Sequence, residues 1–353
     1  MVREYTLTLK HYITEDNSNK IIGIGVGSAG CKIASKISSF KTGINRFYYI
    51  SCDENDLIGL NNGEILYIPP LTSTKREPSL ARGAGMRHRD KISRILRDSK
   101  VTLIITGLGG AVGSGLAPLI AELAKEQNSL VLGVAVMPSS YEHSKLFYSS
   151  VALRHFRSSC DYTIVIDKDD FTQSMSDRPI IEVYEEISER ISFALSRVLG
   201  AFEKEDYYIS LSKFITTSIK DRFTLLTVSN RSNMMDAVSE AVASIYRKAN
   251  PAETESALLY LCGSKDLLAG EVEDSVRHLS TLLGNGSVKV EYGFSTNGYT
   301  KITSIVLASG FKTLKHAKYD VLENIFDAER KIDAAPECAV DLDLSKITQM
   351  EHF

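Results

Sequence analysis

The sequence predicts an α/β fold: a mostly parallel sheet covered by helices, then a long central helix and a second, smaller α/β domain. Three observations carry that prediction. Apolar β-rich runs alternate with amphipathic stretches through the first half of the chain, the rhythm of strand, crossover helix and parallel strand. The strands read as continuous apolar runs, as strands buried on both faces do. Two glycine-rich segments, "IIGIGVGSAGCKIASKI" (21–37) and "TGLGGAVGSGLAP" (106–118), stand where a strand turns into a helix.

In chain order, residues 1–19 are a polar N-terminal extension without the apolar core of a secretory leader. Strands are expected at 20–25, 46–51, 101–106, 130–137 and 161–167, with helices at 30–40, 83–98, 114–127 and 143–157. Together they make a first domain over 20–178. A central helix spans 179–203. Pro179 suits its first turn, and Ile180, Ile181, Tyr184, Ile187, Ile191, Leu195, Val198, Leu199 and Phe202 recur at steps of three and four. The second α/β domain, 204–312, has strands at 223–229, 257–263, 287–293 and 301–309 and helices near 233–249 and 270–283. "FSTNGYTK" joins its last two strands, and Asn297-Gly298 predicts a hairpin and hence an antiparallel pair. A charged helix and a mixed tail fill 313–353. Residues 339–353 alternate apolar and acidic groups, which suggests a short docking segment.

At 353 residues the chain is long enough for two domains with separate cores. Its 43% hydrophobic and 24% charged residues are ordinary for a soluble globular protein. A net charge of −3 supplies no broad basic field, which argues against a nucleic-acid partner. Cys31, Cys52, Cys160, Cys262 and Cys338 are scattered and form no CxxC pair. Neither a disulfide framework nor a zinc site is expected, and the compartment reads as reducing. Residues 101–123 are apolar, but their glycine cluster argues against a membrane-spanning helix, so no membrane insertion and a cytoplasmic location are expected.

Glycine tolerates positive φ and lets a backbone approach a ligand. A helix N-terminus offers unpaired N–H groups and the positive end of its dipole. Two such corners on neighbouring strands would converge on one polyphosphate at the carboxyl edge of the sheet. A P-loop is excluded, because "GLGGAVGSGLAP" contains no Lys or Arg. Gly25-Val26-Gly27-Ser28-Ala29-Gly30 also fits a dinucleotide fingerprint, with Asp53 placed to hold a ribose, and that reading stays open here.

The order of these loops resembles the tubulin/FtsZ/CetZ superfamily of GTP-binding cytoskeletal proteins over about 20–311. "LGGAVGSGLAP" (108–118) is similar to the family's GGGTG[ST]G loop and its following alanine and proline. "GSAGCKI" (27–33) is similar to its first loop in the form GQxGxQI. "SCDENDL" holds Asp53 where the family has a loop aspartate, and "RGAGM" (82–86) resembles its GAG loop. "MPSSYE" (137–142) parallels the proline and acid of the ribose loop. "ALLYLCGSKDLLAGEVEDSVRHL" and "TKITSIVLASG" resemble the second domain.

The resemblance implies GTP or GDP as ligand, with Mg2+ as a possible companion. In the first loop it assigns Gly27, Ser28, Ala29, Gly30 and Cys31 to the nucleotide, and after them Asp53 and the Gly83, Ala84 and Gly85 turn. The second glycine corner adds Gly109, Gly110, Ala111, Val112, Gly113, Ser114 and Gly115. Pro138 and Glu142 fall at the ribose, with Lys168, Tyr184 and Ser188 at the base. Arg82 and Arg87 lie near enough to lean toward phosphates, whereas His88 is expected on a solvated helix face and Cys31 as a packed thiol. The resemblance also implies head-to-tail self-association, or association with a catalytic FtsZ/CetZ relative.

The departures bear on activity. Ala111 and Val112 replace a glycine and a threonine of the phosphate loop, and Lys168 and Ser188 replace two guanine-reading asparagines. Tyr184 can stack on a base but carries little base identity, so discrimination between GTP and ATP is expected to fall. The family's NxDxxD loop, which one subunit contributes to the nucleotide of the next, aligns without gaps to Tyr208, Ser210 and Lys213, and neither acid is present. Weak or absent hydrolysis is therefore expected. The alternatives are a slow GTPase that uses Glu205 or Asp206 as a relocated acid, and a nucleotide-free scaffold or regulator.

Overall fold

The computed structural model describes residues 21–40, 42–44, 46–71, 77–172, 178–200, 219–264, 267–284, 288–296, 301–315 and 319. The first half alternates as predicted: β1 (Ile21–Val26), α1 (Gly27–Ser38), β2 (Arg46–Ser51), β3 (Glu64–Tyr67), α2 (Pro78–Arg87), α3 (Arg89–Leu96), β4 (Val101–Gly107), α4 (Ala111–Glu126), β5 (Leu130–Met137), α5 (His143–Ser159) and β6 (Tyr162–Asp167). A single helical turn, α6 (Asp169–Thr172), precedes the central helix α7 (Ile180–Val198). Then come β7 (Phe223–Arg231), α8 (Met234–Lys248), β8 (Ser256–Cys262), α9 (Ala269–Gly284), β9 (Lys289–Ser295) and β10 (Ile302–Phe311).

One ten-stranded sheet has the order β3-β2-β1-β4-β5-β6-β7-β10-β8-β9. Its strands are parallel from β3 through β7. The β6–β7 pair joins the two halves edge to edge, with Thr163 opposite Phe223. Apolar residues from both halves share each face. Ile24, Ile104, Leu259 and Val306 lie in the cluster that α4 covers, and Ile105, Ile164, Leu258 and Ile305 in the cluster that α1 and α7 cover. The separate cores expected from chain length are replaced by two faces of a continuous sheet.

The hairpin expectation is overturned. β9 pairs in parallel with β8, and β10 lies between β7 and β8, antiparallel to both. β8, α9 and β9 form a parallel crossover unit and β8 lies between β9 and β10, so the last two strands are not neighbours in the sheet. Asn297 and Gly298 themselves lie outside the described residues. The single helix expected over 83–98 is two helices broken at His88, which is half-buried, its Nδ1 3.0 Å from the Ala84 carbonyl oxygen. Edge strand β3 is too short for its composition to announce.

Local chemistry fixes the ends of these elements. Pro78 stands in the first turn of α2, where its missing N–H is no loss. The Asn233 side-chain Oδ1 accepts the Met235 and Asp236 N–H groups and caps α8. The central helix buries Val183, Ile187, Ile191, Leu195 and Val198 but exposes Ile180 and Ile181, so its apolar stripe starts one turn later than the sequence suggests.

Candidate functional site

The order β3-β2-β1-β4-β5-β6 reverses between β1 and β4, whose last residues pair as Val26 with Thr106. The helix after β1 packs on one face of the sheet and the helix after β4 on the other. This divergence opens a crevice at the carboxyl edge, the usual ligand position in an open parallel sheet. Both glycine-rich segments make their strand-to-helix turn there.

Each corner needs its glycines for a different reason. Gly27 (φ +68°) and Gly109 (φ +93°) lie in the left-handed region that side chains resist. Gly113 must lack a side chain: a Cβ there would stand 2.2 Å from the Gly107 carbonyl oxygen and 2.6 Å from Thr106 Oγ1. A Cβ on Gly27 would come within 3.2 Å of the Gly113 nitrogen, so the two corners touch. Gly110, at the start of α4, faces open space. Neither α1 nor α4 carries an acid in its first turn or a side-chain cap, so both dipole ends point into the crevice uncompensated.

A cavity of about 470 Å³ runs along this edge, within the usual range for small-molecule sites. On the β2 side it is lined by Asp53 and Asp56, in the middle by Gly27, Ser28, Ala29, Gly110, Ala111, Val112 and Gly113, and on the β5–β6 side by Glu142, Lys168, Tyr184 and Ser188. The ribose-loop and base-end residues meet each other directly. The Glu142 carboxylate is buried; it accepts the Ser139 N–H at 2.9 Å and faces Lys145 at 2.5 Å and Lys168 at 3.5 Å. Burial pushes its pKa up, but the hydrogen bond from Lys145, the charge of Lys168 and the Ser139 N–H outweigh that and hold it below the ordinary glutamate value. Lys168 also stands 5.4 Å from the centre of the Tyr184 ring. The Tyr141 hydroxyl donates to the Tyr184 hydroxyl at 3.1 Å, and Ser188 donates to the Tyr184 carbonyl one turn back.

Other residues singled out in the sequence support this cavity without lining it. Gly30 lets α1 lie against β4, where a Cβ would stand 2.2 Å from the Ile105 carbonyl oxygen. Cys31 is a buried thiol that donates to the Gly25 carbonyl at 3.2 Å, its pKa pushed up by burial. Ser114 turns inward and accepts the Gly109 N–H at 3.0 Å, and Pro138 packs behind Gly109. Gly83, Ala84 and Gly85 are placed in helix α2 rather than in a loop. A Cβ on Gly85 would meet Leu116 at 2.5 Å and one on Gly115 would meet the Pro78 carbonyl at 2.1 Å, so these small residues set the α2–α4 approach. Arg82 pairs with Glu122 at 2.6 Å, and neither it nor Arg87 reaches the cavity.

Sequence reasoning missed Lys32, Lys145 and Asp56, as well as the apolar lining of Ile33, Ile187 and Ile191. Spacing could have found two of them. Lys145 follows Glu142 by three residues, and Asp56 follows Asp53 by three. Glu205, Asp206, Tyr208, Ser210 and Lys213 lie outside the described residues. Among the described residues, no helix is long and apolar enough to cross a membrane.

Residues 20–176 match the family model described as "Tubulin/FtsZ family, GTPase domain". The chain is 26% identical over 175 residues to Cell division protein FtsZ 2 of Haloferax volcanii, covering 46% of this chain and 41% of that protein. It is 30% identical over 188 residues to Cell division protein FtsZ of Aquifex aeolicus, covering 51% of this chain and 50% of that protein. The chain thus spans about half the length of these curated relatives. Among solved structures, an empty FtsZ dimer of M. jannaschii superposes with a TM-score of 0.70 at 19% identity, covering 86% of this chain and 91% of that one. The CetZ2 GTPγS-bound protofilament of Haloferax volcanii gives 0.67 at 19% identity, with 88% and 99% covered. The fold and the crevice at its switch point define a doubly wound α/β protein with a second α/β half. Over residues 20–176 the chain is similar to the tubulin/FtsZ GTPase domain, and its fold is that of the solved FtsZ and CetZ structures.

Proposed function

We propose that this protein binds a guanine nucleotide, GTP or GDP, along the crevice and assembles head-to-tail in the cytoplasm, with weak or absent hydrolysis. The observation that carries the reading is the contact of two glycine corners, each at an uncapped helix N-terminus, at the switch point of the sheet. The N–H groups of 27–29 and 110–113 would hold the phosphates. Glu142, next along the edge, would share its carboxylate between the lysines and the ribose hydroxyls, and Tyr184 would present its ring to the base. Among the described residues no group of three or more metal-ligating side chains gathers. Magnesium would therefore draw on Asp53 or Asp56 and otherwise on phosphate and water, a shell that suits this ion.

A solved relative is described as a GTPγS-bound protofilament and another as a dimer, which supports nucleotide binding and self-association here. Replacement of the two acids of the interface loop by Ser210 and Lys213 supports slow turnover. A capped assembly with a catalytic relative would follow from the same defect. Calorimetry with GTP and GDP tests the reading. Dissociation constants of about 1 μM or tighter are expected. No binding at any magnesium concentration would leave the nucleotide-free scaffold.

A further inference from the structure

Four consecutive residues at the end of β6 reach four different parts of the molecule. Asp167 takes the Asp169 N–H on one carboxylate oxygen at 3.0 Å and the Tyr319 hydroxyl on the other at 2.5 Å. Lys168 enters the cavity beside Glu142 and Tyr184. Asp169 accepts both the N–H and the hydroxyl of Ser140, in the loop that carries Glu142. Asp170 turns away and pairs with Lys248 at the end of α8, and both side chains are almost wholly buried. Ser244, one turn earlier on α8, donates to Asp170 and accepts from Lys248 at 2.8 Å.

The second half thus clasps this turn from two sides. Lys248 and Ser244 hold it through α8, and Tyr319 holds it from beyond β10. The two clasps are themselves joined, because the Lys315 N–H donates to the Lys248 carbonyl at 2.8 Å. A buried ion pair must be matched by good geometry and further hydrogen bonds, because desolvating two charges is costly. Here each member has such a bond through Ser244. The cost is incurred next to a cavity whose base end is built from the same turn.

We propose that Lys248 and Tyr319, both outside the cavity, are positioning residues for the nucleoside end of the site: through Asp170 and Asp167 they fix the turn that places Lys168 and braces the Glu142 loop. This rests on the nucleotide reading above. The phosphate end is built from the β1 and β4 corners rather than from this turn, and meets the Glu142 loop only where Gly109 packs against Pro138 and Lys145. The two ends can therefore be separated by ligand.

The test compares GTP with inorganic tripolyphosphate, which occupies only the glycine corners, by calorimetry on the full chain. Lys248→Met and Tyr319→Phe are expected to weaken GTP about tenfold while tripolyphosphate binding changes less than twofold, and Lys248→Arg is expected to restore most of the loss. Tyr319→Phe keeps the ring and decides the matter if Lys248→Met does not fold. Unchanged GTP affinity in the folded variants overturns the proposal. So does a parallel loss of both ligands, which marks general destabilisation. If the unmodified protein binds tripolyphosphate and GTP equally, the nucleoside end is not read and this inference fails while the phosphate site stands. If it binds neither, the nucleotide reading fails and takes the inference with it.

Discussion

Gly110, the N-cap of α4, and Gly113, in its first turn, sit three residues apart and do opposite work. Gly110 has φ −92° and ψ 153°, extended values that any residue adopts, and nothing lies within 4 Å of its missing Cβ. Aspartate there is a good helix cap and should leave stability within about 0.5 kcal/mol, yet it sets a carboxylate against the phosphates. Gly110→Asp is expected to keep its melting temperature and lose GTP binding, and retained affinity would remove the phosphates from this corner. Gly113 is enclosed by the Gly107 carbonyl and Thr106, so even Gly113→Ala forces the backbone apart and should cost about 1–3 kcal/mol in thermal or denaturant unfolding. A glycine count could not separate these two roles, because one depends on space and the other on a contact made only after folding. Glu142 offers a pH test. Its folded pKa is lowered from an ordinary 4.5, so its stabilisation is complete above that value and lost as pH falls through the lower folded value. Melting temperatures of the unmodified protein and Glu142→Gln should differ most at neutral pH and converge once the pH falls below that lowered folded value. A constant difference across that window would mean that the two lysines do not hold its charge.

At the scale of elements, α1 depends on one backbone approach. A Cβ on Gly30 would stand 2.2 Å from the Ile105 carbonyl, so Gly30→Ala must lift the helix from β4 and move the corner that starts it. A loss of about 1–3 kcal/mol in unfolding is expected, together with weaker tripolyphosphate binding. A stable variant with unaltered binding would show that the position of α1 is not critical to the corner. The parallel half was legible in the sequence because buried strands such as "VTLII" and "VLGVAVM" are continuous apolar runs, and the glycine corners mark where they end. The antiparallel part was not, because Asn297-Gly298 speaks only for its own turn, while the place of β10 is set by which strand edge remains open to it. "RGAGM" reads as a loop only by its resemblance, whereas the helical pattern from residue 83 onward already covers most of it. Its helical state follows from the close packing of α2 on α4, which only small residues permit.

At the scale of the whole molecule, the question is whether one subunit completes the site of the next. The crevice opens at the carboxyl edge of the sheet, and the exposed side chains of Tyr141, Ile180 and Ile181 belong to the segments beside the base end. A subunit seated there would cover them, and head-to-tail contacts of that kind propagate into filaments unless capped. If the attacking water needs an acid from the neighbour, Ser210 and Lys213 supply none, and phosphate release should be roughly 10²–10⁴-fold slower than with such an acid in place. Assemblies formed in GTP should then persist in sedimentation, with little phosphate released. Ser210→Asp combined with Lys213→Asp should raise turnover per subunit, and only above the concentration at which assemblies form, because the new acids act across the interface. Glu205→Gln with Asp206→Asn should change nothing. The opposite pattern, rapid and concentration-dependent hydrolysis by the unmodified protein that disappears in the Glu205/Asp206 variant, would make this an active GTPase whose catalytic acid has moved a few residues along the chain.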